Sequence, residues 1–122
     1  MTRILRRRAA RQDLVDIFRH YAREAGVTTA NHFHQEAEST FQQLAWMPGM
    51  GAPYEHEHAA LAGVRRFPIS RFKKYLVFYL PTADGIAVLR VLHAAHDIRG
   101  VLAEEFGINE DASDDVAERD DK

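Results

Sequence analysis

The chain has 122 residues, 46% of them hydrophobic, no cysteine and a formal net charge of −2. That length supports one compact domain rather than two. The missing cysteine excludes disulfides, thiolate metal sites and a cysteine nucleophile, in keeping with a reducing cytoplasm.

The basic start (Arg3, Arg6, Arg7, Arg8) runs into Gln12, Asp13 and Asp16, so no secretion signal is expected. No window holds the roughly 20 apolar residues of a membrane span. Ile4 and Leu5, followed by three arginines, read as an edge strand whose charges discourage further pairing. A helix should begin near Ala9 or Ala10, because Leu14, Ile17, Phe18, Tyr21 and Ala25 recur at helical spacing. Gly26 is its expected stop. Thr28 or Thr29 is the expected cap of a second helix, with Phe33, Ala37, Phe41 and Leu44 as its stripe and Pro48 beyond its end. So short a link predicts an antiparallel helical hairpin.

Pro48, Gly49, Gly51 and Pro53 then break the pattern, and the texture turns to β. Val64–Ile69, Tyr75–Leu80 and Ile86–His93 are the expected strands. Asp84-Gly85 lies between the last two and signals a hairpin. A short helix capped by Asp97 should run to about Phe106, closed by Gly107. The order β-α-α-β-β-β-α predicts an α+β fold, an antiparallel sheet with the helical hairpin packed on one face.

Charge is unevenly distributed. Between Glu110 and Lys122, seven acids stand against Arg119 and Lys122, a net of −5 that leaves residues 1–109 at +3. We therefore expect a folded domain over 1–108 and a disordered acidic tail over 109–122, solubilising or competing with an acidic partner for the basic body.

Arg65, Arg66, Arg71, Lys73, Lys74, Arg90 and Arg99 fall within the β region and its helix, interleaved with Phe67, Phe72, Tyr75, Phe78 and Tyr79. Cations beside planar rings suit phosphate contact and base stacking, or an acidic protein surface. The bland reading is a sheet with a solvated basic face and an aromatic core. Simple alternation puts Ile86, Val88, Arg90 and Leu92 on one face of the last strand, with Ala87, Leu89, Val91 and His93 on the other. Arg90 within so apolar a strand implies that its face is open to a partner or that its charge is paired. His93 and His96 at the strand's end have the chemistry for proton transfer or for structural hydrogen bonds. Tyr54-Glu55-His56-Glu57-His58 matches no usual zinc spacing, so no metal or cofactor is expected. No phosphate-cradling glycine loop, GxSxG elbow or HExxH is present.

Leu44-Ala45-Trp46-Met47-Pro48-Gly49-Met50-Gly51, Leu61–Ile69, Tyr75–Tyr79, Asp84–Ile86 and Val88–Ile98 together resemble the signature blocks of ParE-type toxins, in the RelE/ParE superfamily, over roughly residues 3–106. The resemblance implies the toxin of a type II toxin–antitoxin module. In the ParE branch it implies poisoning of DNA gyrase; in the RelE branch, cleavage of mRNA on the ribosome. In both, a C-terminal segment of the antitoxin crosses the toxin, which fits the open-face reading of Arg90. ParE relatives frequently carry Arg where this chain has His96, and the basic C-terminal end of the nucleases is absent.

The expected function is accordingly a cytoplasmic, non-enzymatic, gyrase-directed toxin held in a hetero-oligomer by a ParD-like antitoxin. Arg65, Arg66, Arg71, Arg90, His93, His96 and Arg99 are the residues expected to contact antitoxin or target. The alternatives are a ribosome-dependent mRNA endonuclease using Arg65, Lys73 and His93, or a decayed toxin surviving as a binding module.

Overall fold

The computed structural model describes residues 2–56 and 58–108, so the expectations for the segment 109–122 lie outside the described residues. In chain order the elements are β1 (Arg3–Arg6), α1 (Arg8–Glu24), α2 (Val27–Trp46), β2 (Ala52–Pro53), β3 (Arg65–Ile69), β4 (Phe72–Thr82), β5 (Gly85–His93) and α3 (Ile98–Glu105). The strands form one sheet in the order β1-β5-β4-β3-β2. Strands β2 to β5 pair antiparallel, whereas β1 runs parallel to β5, with Arg3 opposite Gly85 and Arg6 opposite Val88. Parallel neighbours need a long crossover, and everything from α1 to β4 supplies it. Gly85 serves both the β4–β5 turn and this junction, since a Cβ there would overlap the Arg3 backbone.

The helical hairpin packs on one side of the sheet. Ala10 and Ile17 of α1 and Phe33, Ala37, Phe41, Leu44 and Ala45 of α2 share a core with Tyr75, Val77 and Tyr79 of β4 and Ile86, Val88 and Val91 of β5. Full burial of Phe33, Phe41 and Leu44 contributes about 1.5–3 kcal/mol each relative to exposure. Ala25, expected on the stripe, is exposed at the end of α1. Thr28 and Thr29 do not cap α2. Gly26, at φ 97°, turns the chain straight into Val27, and its carbonyl accepts from Ala30 N–H at 3.2 Å. A left-handed glycine makes the link so short that the threonines fall inside the first turn.

The other side of the sheet carries a second core. Phe78, Leu89 and Leu92 pack there with Leu61, Val64, Leu102, Ala103 and Ile108, so α3 lies across the sheet from the hairpin. Asp97 caps α3, its carboxylate accepting from Gly100 N–H at 3.1 Å.

The expected alternation along β5 fails at one place. Phe78 pairs with Arg90 but Tyr79 with Val88, leaving Leu89 as the extra residue of a bulge. Val88 and Val91 therefore both face the hairpin, and Leu89 and Leu92 both face α3.

Past Val88, β1 has ended, and the outer edge of β5 must satisfy its backbone groups otherwise. Asp13 of α1 does so: its carboxylate accepts from Val91 N–H at 2.9 Å and from Arg90 Nε and Nη2 at 2.7 and 2.8 Å. The Arg90 side chain is 21% exposed and that of Asp13 11%. The hydrogen bonds that Arg90 donates to Asp13 raise its pKa, so the guanidinium stays charged. Of the two readings left open for Arg90, the paired one holds.

Two further ties set the periphery. Arg6 of β1 binds Glu38 of α2 through two short bonds, 2.6 and 2.5 Å, which raise the Arg6 pKa and lower that of Glu38. Buried Tyr79 of β4 clamps the segment after α2. Its hydroxyl donates to the Pro48 carbonyl at 2.7 Å and accepts from Gly51 N–H at 2.9 Å. A Cβ at Gly51 would sit 2.5 Å from that hydroxyl, which explains the glycine.

Two outcomes follow for stability. Tyr79→Phe orphans the buried Gly51 N–H and should cost about 1–3 kcal/mol, read as a lower urea midpoint at unchanged slope. Asp13→Leu leaves the Arg90 charge unpaired and should cost about 3 kcal/mol or more. Adding Arg90→Met should restore part of that loss and not all, because Val91 N–H still lacks its acceptor; a double variant no more stable than the single one refutes this account.

Candidate interaction surfaces

The residues expected to make contacts do not assemble into one site. Arg90 is committed to Asp13, which removes it from any open face. Arg65 is likewise engaged, donating to the carbonyls of Gly51 at 2.5 Å and Gly49 at 3.3 Å, so it braces the same turn as Tyr79. The alternative nuclease trio is dispersed as well. Arg65 pairs with Tyr79 and His93 with Tyr75, four residues apart along β4, or roughly 13 Å. Lys73 is exposed near the His93 end.

Arg66 points the other way from Arg65, as strand alternation requires. It is exposed and, among the described residues, makes no ion pair. With Pro53, Tyr54, Glu55, Leu76, Phe78 and Ile98 it lines a groove of about 470 Å³ on the α3 side of the sheet. Leu102 and Ala103 of α3 pack against Phe78, Leu89 and Leu92, and the groove runs from β4 and the start of α3 across to β2. A greasy strip with a cation survives here, one and two strands away from where Arg90 placed it. Arg99 is exposed on α3.

The remaining candidates gather at the opposite end of β4. His20 and Tyr21 of α1, Lys74 and Tyr75 of β4, and His93 and His96 line a cavity of about 490 Å³. Tyr21 and Lys74 also wall an adjoining cavity of about 430 Å³ with Arg71, Phe72 and Lys73. Arg71, at φ 67° in the β3–β4 turn, is exposed and 3.6 Å from Glu36. Beneath the cavities Tyr21, Phe33, Phe72 and Tyr75 pack with ring centroids 5.2–6.1 Å apart. Burial raises the Tyr21 and Tyr75 pKa values, so both keep their hydroxyl protons.

The two histidines are fixed by backbone. His93 Nδ1 accepts from Ala95 N–H at 3.0 Å, and His96 Nδ1 accepts from His93 N–H at 3.2 Å. Each neutral ring thus carries its proton on Nε2. The Tyr54–His58 segment uses its rings similarly, His56 Nδ1 accepting from His58 N–H and His58 Nδ1 from Ala60 N–H.

Sequence reasoning missed His20 and Tyr21, because it treated α1 only as a packing helix. The available signal was the row Arg11, Val15, Arg19, Arg23, spaced by four and exposed. It also missed Trp46, Met47 and Met50, which are 76, 63 and 37% exposed. All three lie in the Leu44–Gly51 block, outside the buried stripe of α2.

Comparison with known proteins agrees with this architecture. A family model described as ParE toxin of type II toxin-antitoxin system, parDE, matches residues 4–98. Toxin ParE1 of Caulobacter vibrioides is 33% identical over 95 residues, covering 78% of this chain and 92% of the relative. A solved chain described as the chromosomal ParDE TA system from P. aeruginosa superposes with a TM-score of 0.62 at 24% identity, covering 76% of this chain and 96% of the other. The fold is thus that of a ParDE component, and with the family model spanning most of the sequence, this chain belongs to the ParE toxin family of type II toxin–antitoxin systems.

Proposed function

We propose that this toxin acts by binding DNA gyrase rather than by cutting RNA, and that a ParD-like antitoxin neutralises it by lying along the Arg66 groove. The observation that carries the non-enzymatic reading is the separation of Arg65 from Lys73 and His93. General acid–base cleavage needs its groups within hydrogen-bond reach of one reacting centre, and Arg65 is held at the far end of β4 by the Gly49 and Gly51 carbonyls. What supports the antitoxin placement is an apolar floor beside a cation with no partner among the described residues, the chemistry that suits an amphipathic acidic segment.

The decisive assay combines the purified toxin with gyrase and supercoiled plasmid, and separately with translating ribosomes. Loss of supercoiling activity or accumulation of cleaved DNA is expected. Codon-positioned mRNA cutting without any effect on gyrase overturns the reading. Arg66→Glu should weaken antitoxin binding about tenfold or more in calorimetry while the circular dichroism spectrum is retained. Unchanged affinity would place the antitoxin elsewhere.

A further inference from the structure

The two adjoining cavities at the start of β4 differ in character, and the difference is informative. The cavity at His93 and His96 is built from donors. His20, Tyr21, Lys74, Tyr75, His93 and His96 line it, side chains that carry N–H and O–H donors, and no carboxylate residue is among them. Neither Nε2 has a hydrogen-bond partner among the described residues, and the rings cannot turn without breaking the backbone bonds at Nδ1. Several donor-bearing side chains with no carboxylate among them suit a tetrahedral anion. The neighbouring cavity has Tyr21 and Phe72 in its wall and Arg71, Lys73 and Lys74 around it. Planar rings framed by cations suit a nucleobase. Tyr21 and Lys74 belong to both cavities, so a ligand with a phosphate next to a base could occupy the pair at once. A carboxylate side chain would satisfy the first cavity only.

We propose that these cavities form a nucleic-acid-strand site, with a backbone phosphate between Lys74, His93 and His96 and the adjacent base against Tyr21 and Phe72. The site extends beyond the gyrase reading and does not depend on it, because strand binding and gyrase inhibition are measured apart. Exposed Arg19 and Arg23 of α1, on either side of His20 in sequence, extend the positive field toward the rest of a strand.

The test is fluorescence anisotropy of the full chain with a short labelled single-stranded DNA oligonucleotide, the same sequence as RNA, and a poly-glutamate peptide of equal length. Binding of DNA, RNA or both, with the peptide at least about tenfold weaker, is expected. The two nucleic-acid arms identify the source of the phosphate. Lys74→Glu, and the double variant His93→Asn with His96→Asn, should each lower affinity about tenfold. Asparagine keeps an acceptor for the backbone N–H groups and removes the Nε2–H donors. Arg66→Glu makes the same charge change as Lys74→Glu on the other side of the sheet and should leave strand binding within about twofold.

Peptide binding as tight as the oligonucleotide, equal losses from Arg66→Glu and Lys74→Glu, or no strand binding at low salt would each overturn the site. Should the variants misfold, amide chemical-shift mapping of the wild-type chain decides. Shifts centred on Lys74, His93–His96 and His20 support it, and shifts elsewhere refute it.

Discussion

One carboxylate ties the helical hairpin to the open end of β5. Asp13 projects from α1 onto β5 just where β1 has stopped, and three donors meet it there: two from Arg90 and the Val91 amide. Edge backbone without a partner strand costs free energy unless something replaces the ladder. The bulge at Leu89 adds to the demand by shifting the register beyond it. Remove Asp13 and both an amide and a mostly buried guanidinium lose their acceptor together, which is a larger loss than a surface ion pair would give. The contact adds a directional tie to the apolar packing that seats the hairpin on the sheet and brings His20 and Tyr21 beside β4.

Ties of this kind make the positive charge of the molecule less available than its sequence suggests. Arg6 is bound to Glu38, Arg65 to two backbone carbonyls, Arg90 to Asp13, and Arg7 approaches Glu105 at 3.4 Å. The cations left without partners among the described residues include Arg66 on the α3 side and Lys73 and Lys74 at the mouth of the hairpin. They stand on two surfaces. An antitoxin segment in the Arg66 groove would leave the histidine cavity open, whereas one that continues around the β4 end would close both.

Local signals in the sequence carried the fold a long way. Stripes at three and four residues placed both hairpin helices, Asp84-Gly85 placed the β4–β5 turn, and Asp97 caps α3 as its position suggested. Each of these depends on residues within one turn or one strand of each other. The features that could not be read depend on distant pairs. The parallel pairing of β1 joins residues more than eighty positions apart, the Asp13–Arg90 pair spans 77, and the Leu89 bulge follows from how β4 and β5 meet rather than from β5 alone. Strict alternation therefore left Arg90 either on an open face or paired, without naming Asp13 as its partner. For the candidate site the reading was half complete: His93 and His96 were named from their place at a strand end, but their companions on α1 became visible only once the helix lay over the sheet.

How the histidines are held bears on what they can do. A general base needs a free lone pair directed at its proton, and in His93 and His96 the Nδ1 lone pairs are already taken by backbone amides. What each neutral ring has left to offer is the Nε2 N–H. Under the proposed strand site that N–H grips an anion, and with Nδ1 occupied neither ring holds a lone pair free to activate a hydroxyl in this arrangement. Gripping alone is enough for a toxin that stalls a larger machine, since inhibition then depends on residence time rather than on a barrier lowered at one bond.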